Sequence, residues 1–463
     1  MLVEKGNSKN CHVVVVGNGI AGNSAIKAIR NQDKDVNITL ISRENLPLYS
    51  PCVFHKYIAG ERERQKVFLK SFEDYSREKV KLIFGEEVTG LDTKNKEVYV
   101  GNKTIRFDKL ILATGSNAFF PPIKGINING VFTLKSMEDA DRIFGYPMRK
   151  AVIIGSGPIG LEAAVALKKR GVEVYVIEVL DRVLPRLFDY ESSILIKNIL
   201  ERYGIKILTN EKVVEILGEE KVKSVVTDKR SITCDAVIVA AGVRPNVEIA
   251  KQAGLKIGKL GGIVTDEYMR TSVEDVYACG DCVESKDIIS GENTLSLLWH
   301  NAKRQGEVAG YNCVSEKKRY TGSIDAVSID IFGTYAISIG KISSNLKNKC
   351  DIIEKTDSLN YCRLVLLEDR LVGVQLITKT EDSGILLSLI IRKDNLKLLK
   401  ELKDKRKTPK PLVTIQCVLS KANIFTVKEM VDLAAEVGAY DLMFEVIKRF
   451  SIVSTSCQRA KVK

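Results

Sequence analysis

Two glycine-rich turns carry the residues of this chain best suited to chemistry. The first is Val13-Val14-Val15-Val16-Gly17-Asn18-Gly19-Ile20-Ala21-Gly22, and the second is Ala151-Val152-Ile153-Ile154-Gly155-Ser156-Gly157-Pro158-Ile159-Gly160. Each runs from β-branched residues through G-x-G-x-x-G into an Ala-rich helical stretch. The first glycine allows a tight turn and the second lets the backbone approach a pyrophosphate. The third packs helix on strand, so the anion rests at a helix N-terminus. One such turn says little, because glycine-rich strand–helix turns also occur without a ligand. Two of them in the same context point to two dinucleotides, a flavin that receives electrons and a nicotinamide that delivers them.

The acids that follow separate the two sites. Val172-Glu173-Val174-Tyr175-Val176-Ile177-Glu178 is a strand ending in a carboxylate. Glu178 falls about 20 residues past the glycines, where an acid hydrogen-bonds the adenosine ribose 2′-OH. Val179 and Leu180 follow, with no Arg beside the carboxylate to hold a 2′-phosphate. NADH is favoured over NADPH, with Arg182 near enough to keep NADPH open. After the first turn, Asn37–Ser42 ends near Glu44. Glu44 is either the partner of the other ribose or an ordinary solvated loop acid.

These turns need full domains behind them, and 463 residues suffice for about three. Hydrophobic content of 45% and charged content of 28% describe a globular chain. No apolar run approaches the roughly 18 residues of a membrane span, and Met1-Leu2-Val3-Glu4-Lys5 lacks a signal-peptide pattern. The expectation is a soluble, cytoplasmic protein with no membrane span. Ten scattered cysteines suit a reducing compartment. Three histidines, His12, His55 and His300, argue against a multi-histidine metal site. Much of the net charge of +13 lies between Arg392 and Lys410. A solvated helix running into a linker explains it, and an acidic protein partner is the sharper alternative. No aromatic residues interleave with the charges, which argues against nucleic acid.

Three further segments complete a pattern: Phe107-Asp108-Lys109-Leu110-Ile111-Leu112-Ala113-Thr114-Gly115-Ser116, then Asp235 to Asn246, then Thr271 to Cys282 with Gly280-Asp281. In this order, from about residue 11 to 390, the chain resembles the pyridine nucleotide–disulfide oxidoreductase superfamily of two-dinucleotide flavoproteins. The resemblance implies an α/β fold with two Rossmann-like dinucleotide-binding domains, the NAD domain inserted into the FAD domain, plus a C-terminal α+β domain. It divides the chain into 1–116 and 245–320 for FAD, 117–244 for NAD(P)H, and 321–391 for a dimerisation-like domain. A basic helix or linker (392–410) and an extension of unknown role (411–463) follow. Thr114, Gly115 and Gly242 then mark the crossings between domains, and Asp281 after Gly280 accepts hydrogen bonds from the flavin's ribityl chain. Cys279 and Cys282 read alone as C-x-x-C suggest a redox dithiol or half a zinc site, yet inside this turn packing cysteines fit better. The paired cysteines of glutathione, lipoamide and thioredoxin reductases are absent.

A narrower likeness lies in Tyr49-Ser50-Pro51-Cys52-Val53-Phe54-His55-Lys56-Tyr57-Ile58-Ala59-Gly60-Glu61, which is similar to a segment of rubredoxin and ferredoxin reductases and of nitrite reductase flavin modules. It implies that Lys56 lies beside flavin N5 and pairs with Glu162. Cys52 stands where NADH oxidases and coenzyme A disulfide reductases keep a single redox cysteine, although Val53 and Ile20 depart from that branch. Cys52 is either that thiol or a small packing residue; as a thiol it expects a pKa lowered by Lys56 and a helix end. His300 reads as a surface or packing residue.

From Thr321 onward, Ile331-Phe332-Gly333 and Leu364 to Val374 read as strands meeting turns. In the extension, Pro411–Leu419 reads as a strand, Phe425–Ala439 as helical, and Asp441–Ile447 as strand or helix. The leading functional expectation is hydride from NADH to FAD, then electrons to a rubredoxin- or ferredoxin-like protein or partner subunit. NADH oxidase or coenzyme A disulfide reductase chemistry at Cys52 is the alternative, with oxygen or a disulfide as acceptor. A flavin-bearing subunit or NADH sensor is the alternative of another class. A homodimer is expected.

Overall fold

The computed structural model describes residues 11–314, 317–346, 350–357 and 360–395, and the strands 414–419, 441–446 and 458–461. Two five-stranded parallel sheets dominate. The first runs Val80–Phe84, Asn37–Ser42, His12–Val16, Lys109–Leu112, Val276–Ala278, and the second Lys206–Leu208, Glu173–Ile177, Lys150–Ile154, Ala236–Val239, Val131–Phe132. Every pairing within them is parallel. The glycine turns leave the central strand of each. In both sheets the next two strands lie on one side and a later strand on the other. Only the outermost position differs: in the second sheet a strand that precedes the central one fills it.

Unbroken β-branched runs form these central strands because both faces are covered. Val13 and Val15 enter one apolar core while Val14 and Val16 enter another. Ala151 and Ile153 divide from Val152 and Ile154 in the same way. Where the chain passes between the sheets, Ser116–Ala118 and Val243–Pro245 pair as antiparallel strands. The helix Trp299–Val314 closes the first unit by lying on the helix Ile20–Gln32. A Cβ at Gly306 would come within 2.1 Å of the Ala21 carbonyl oxygen, and one at Gly310 within 2.3 Å of that of Ala25. Side chains at these two positions would push the helices apart.

Beyond residue 321 the strands Ala326–Ile331, Thr334–Gly340, Arg370–Ile377, Asn360–Leu367 and Asp351–Asp357 form one antiparallel sheet in that order. The helix Ser383–Arg392 contributes Ile390 to its core. Both tight turns expected here are present. Phe332-Gly333 and Glu368-Asp369 all have positive φ, the two-residue geometry that matches strand twist. The sheet is pinned to the second unit by charge. Asp189, before the helix Tyr190–Arg202, accepts from the Ser343 and Ser344 amides and from Gln375, and lies 3.5 Å from the Arg363 guanidinium. Arg363 also binds Glu191 and Glu354 at 2.8 Å each.

In the extension, Thr414–Leu419 pairs parallel with Asp441–Val446, which pairs antiparallel with Gln458–Lys461. The segment from Asp441 is therefore a strand. The expected helix 425–439, and the basic run from 396 to 410, lie outside the described residues. Among the described residues no helix is long and apolar enough to cross a membrane.

Candidate functional site

Both glycine turns form cradles. Gly17 and Gly155 have φ of +113° and +102°. A Cβ there would also stand 2.0 Å from the Ala113 carbonyl oxygen and 2.5 Å from that of Ala240, so glycine is required twice over. At Gly22 and Gly160 a Cβ would strike the Gly17 and Gly155 carbonyls at 2.1 and 2.2 Å. Gly19 and Gly157 differ: a Cβ would meet nothing within 4 Å among the described residues. Each is also an N-cap with no side-chain hydrogen bond to the helix it opens, Ile20–Gln32 or Pro158–Lys169. The positive dipole ends of both helices, the second opening on Pro158, thus lie beside open space at Gly19 and Gly157. An anionic pyrophosphate fits that arrangement.

Glu178 sits against the second cradle. Its carboxylate is buried, and it accepts from the Ser156 amide at 2.9 Å, the Ser156 hydroxyl at 2.7 Å and the Leu180 amide at 3.0 Å. Sequence reasoning missed Ser156, although it stands inside the G-x-G. Arg182 is turned elsewhere: it donates to the Phe188 and Pro185 carbonyls and to Ser344, and pairs with Asp181. Those partners leave the guanidinium poorly placed for a ribose phosphate beside Glu178.

Gly17, Gly19, Glu44, Cys52, Lys56, Thr114, Gly115, Glu162, Gly280 and Asp281 all line one cavity of about 990 Å³. That volume is at the upper end of the roughly 300–1,000 Å³ range of ligand pockets, room for a large extended ligand. Gly155, Gly157, Gly160, Glu178 and Gly242 are not in its lining; the cavity reaches the second unit at Pro158, Ile159 and Glu162. At the crossing, the Thr114 hydroxyl donates to the Asn246 carbonyl at 2.7 Å, and the Asn246 amide group donates back to the Thr114 carbonyl at 3.0 Å. Gly242 accepts from the Phe119 amide. Gly280 packs on Ala21 and donates its amide to Gln305 at 2.8 Å. Asp281 accepts from Ser116 at 2.7 Å and from Lys135 at 3.1 Å. No local motif announces Lys135, because it arrives from beyond the first crossing. Glu44 is half-buried and accepts from the Tyr49 hydroxyl at 2.8 Å, which separates it from an ordinary loop acid. Burial and the Glu44 carboxylate together push the Tyr49 phenol far up.

Two expectations are corrected at the inner end. The Lys56–Glu162 ion pair is not formed: the Glu162 carboxylate lies 3.6 Å from His55 Nδ1 instead, and Lys56 acts on it through longer-range charge. Neighbours on the helix Phe54–Ile58 point in different directions, and His55 holds the one facing the helix that bears Glu162. Burial, reinforced by Asp330, raises the Glu162 carboxyl to about 7 against the pull of Lys56. The second correction concerns Cys52, in the short turn Pro51–Val53. It is exposed to the cavity, yet surrounding protein raises its thiol pKa, Ser50 opposes that shift, and Glu162 adds to it. Lys56 does not offset the burial. Cys279 and Cys282 are wholly buried free thiols, with Cys282 donating to the Cys279 carbonyl. His300 lines the cavity with its Nε2 on the Ile324 carbonyl at 2.9 Å.

Two parallel nucleotide units that share a cavity, one inserted into the other, define a two-dinucleotide flavoprotein. Residues 11–306 match the family profile described as pyridine nucleotide-disulphide oxidoreductase, and the chain belongs to that family of FAD- and NAD(P)H-dependent enzymes. It is 38% identical over 366 residues to an NADH oxidase of Methanocaldococcus jannaschii, covering 76% of this chain and 81% of the relative. It is 32% identical to an NADH-rubredoxin oxidoreductase of Clostridium acetobutylicum, covering 80% and 91%. A solved NAD-dependent persulfide reductase from A. fulgidus matches with a TM-score of 0.78 and 30% identity, over 88% of this chain and 85% of that one.

Glu162 also affects stability. A carboxyl raised to about 7 keeps a proton that the unfolded chain, at its ordinary value of 4.5, releases. Stability from this group is therefore full below pH 4.5 and is lost as pH rises through 7. Glu162→Gln, which resembles the neutral acid, should flatten that decline and stabilise the cofactor-free protein by roughly 3 kcal/mol at pH 8. Urea midpoints across pH 5–8 check this; parallel curves for both proteins contradict it.

Proposed function

We propose that this chain oxidises NADH through FAD and delivers the electron pair to a sulfur acceptor, a disulfide or persulfide, at Cys52. One observation carries the choice of acceptor. Among the eight cysteines whose side chains are described, Cys52 is the exposed one, whereas Cys11, Cys350 and Cys362 are half-buried and Cys234, Cys279, Cys282 and Cys313 are buried. The other seven are at least partly packed away, so a thiol facing the cavity argues against a packing role.

The residues then divide by task. Gly17, Gly19 and Gly22 with the helix after them would hold the FAD pyrophosphate. Glu44, oriented by Tyr49, would hold the ribose, and Asp281, held by Ser116 and Lys135, the ribityl chain. Thr114, Gly115 and Gly242 shape the crossings between a FAD unit (1–116, 245–320) and a nicotinamide unit (117–244). Gly155, Gly157, Gly160 and Glu178 would hold the donor, and the engagement of Arg182 by Phe188, Pro185, Ser344 and Asp181 supports NADH. FAD held there would supply two-electron chemistry, taking a hydride from the nicotinamide and passing the electrons to a second acceptor. Lys56 supplies a cation in the same cavity, where added electrons need compensating charge. The net reaction balances as mixed disulfide plus NADH plus a proton giving two thiols and NAD⁺. The fully exposed edge strand Asp351–Asp357, with Ile352 and Ile353 among its residues, supports pairing of two copies.

A small redox protein is the second reading, favoured by the likeness to the clostridial rubredoxin reductase. Two substitutions test the scheme. Cys52→Ser should abolish turnover with coenzyme A disulfide or persulfide while leaving reduction of an artificial one-electron acceptor intact; a variant that keeps sulfur turnover returns Cys52 to packing and favours the carrier protein. Glu178→Ala should raise the KM for NADH about tenfold, the loss of one hydrogen bond to a charged group. An unchanged KM removes Glu178 from the ribose site.

A further inference from the structure

His55 holds both ring nitrogens buried, and neither has a hydrogen-bond partner among the described residues. Each such orphan costs about 1–3 kcal/mol, and a native structure that tolerates two of them usually has a use for them. The Glu162 carboxylate faces the ring, with an oxygen 3.6 Å from Nδ1, a few tenths of an ångström beyond hydrogen-bond reach. Both residues line the inner end of the cavity, on helices from different units: Phe54–Ile58 and Pro158–Lys169.

The charges facing this pair are few. Lys56 adjoins it on its own helix, and the Cys52 thiol lies in the turn just before. Lys169, on the facing helix, and Glu61 bind each other at 2.7 Å and largely cancel. From the C-terminal sheet, Asp330 points its negative charge at both members. Lys56 and Asp330 therefore balance, and the pair's own proton decides the net charge of this corner.

We propose that His55 is a positioning residue that shares one proton with Glu162, the carboxyl O–H donating to Nδ1, and that this pair takes up a proton when electrons enter the cavity. The proposal rests on the reading that the cavity holds FAD. Its balance is simple. With the proton the pair is neutral; without it the pair carries one negative charge beside Lys56. Two electrons arriving nearby make the uncharged form more favourable, so one proton moves from a solvent hydronium to the Glu162 carboxylate, an O–H bond breaking in the donor as one forms on the acid. Burial supports this division, since it raises the carboxyl and lowers the imidazole, leaving the proton on Glu162. A small rotation of the Glu162 side chain closes the gap.

Two measurements on the full chain test it. In the cofactor-free protein, with three histidines in all, the imidazole resonances are assigned with His12→Gln and His300→Gln. The His55 ring should show an inflection near neutral pH that Glu162→Gln removes. In FAD-loaded protein reduced with dithionite, proton uptake per two electrons between pH 6 and 8 should exceed that of Glu162→Gln and of His55→Phe by a sizeable fraction of one proton. Identical ring titrations, or equal proton counts in all three proteins, overturn the proposal. A protein that takes up no FAD defeats the flavin reading instead, while the ring titration still decides the pair. Should His55→Phe fail to fold, Glu162→Gln keeps both comparisons.

Discussion

Two helix N-termini left without side-chain caps are the constraint around which the rest of this molecule is arranged. An uncapped N-terminus leaves backbone donors unpaired, which is tolerable only where a ligand or solvent reaches them. Holding such a terminus at the edge of a buried parallel sheet demands a turn too tight for any side chain. The Ala113 and Ala240 carbonyls enforce that demand at Gly17 and Gly155. Behind the first cradle, the helix Trp299–Val314 presses so closely at Gly306 and Gly310 that the backbones themselves are in contact. The chain leaves the first unit, builds the second and returns to supply this clamp, so the insertion and the cradle are parts of one solution.

Inside the cavity the same constraint takes an electrostatic form. Asp281 is held by Lys135 and Ser116, and Glu44 by Tyr49, each a carboxylate fixed by donors before any ligand arrives. Glu162 is the exception: it is half-buried beside an imidazole with no hydrogen-bond partner and opposite Asp330. Such an arrangement costs stability and is tolerated at functional sites, where a group poised near neutral pH is useful. The Arg363–Asp189 network, which pins the C-terminal sheet to the nucleotide unit, keeps Asp330 in range.

How much of this was legible in the sequence depended on whether the signal was local. The cradles, Glu178 and the turns at Phe332-Gly333 and Glu368-Asp369 are written in consecutive residues, and periodicity with glycine spacing reveals them. Lys135 and Asp330 are not, because each reaches the cavity from a segment whose neighbours carry no motif, and His55 stands inside the Tyr49–Glu61 segment at a position to which that likeness gives no role. The Lys56–Glu162 pair failed for a related reason: a short helix turns about 100° per residue, so adjacent positions serve different neighbours and the histidine took the contact. For Cys52 as a thiol, the neighbouring Lys56 in the sequence suggests a lowered pKa, whereas packing around it, visible only in three dimensions, sets the opposite direction.

The central claim, that electrons pass from NADH through the flavin to Cys52, has a direct stoichiometric test. FAD-loaded protein is first treated with coenzyme A disulfide, freed of excess reagent, and titrated anaerobically with NADH. The account predicts two equivalents of NADH per flavin, one to reduce the Cys52 mixed disulfide and one to reduce the FAD, and a single equivalent for Cys52→Ser. One equivalent in both proteins would contradict it.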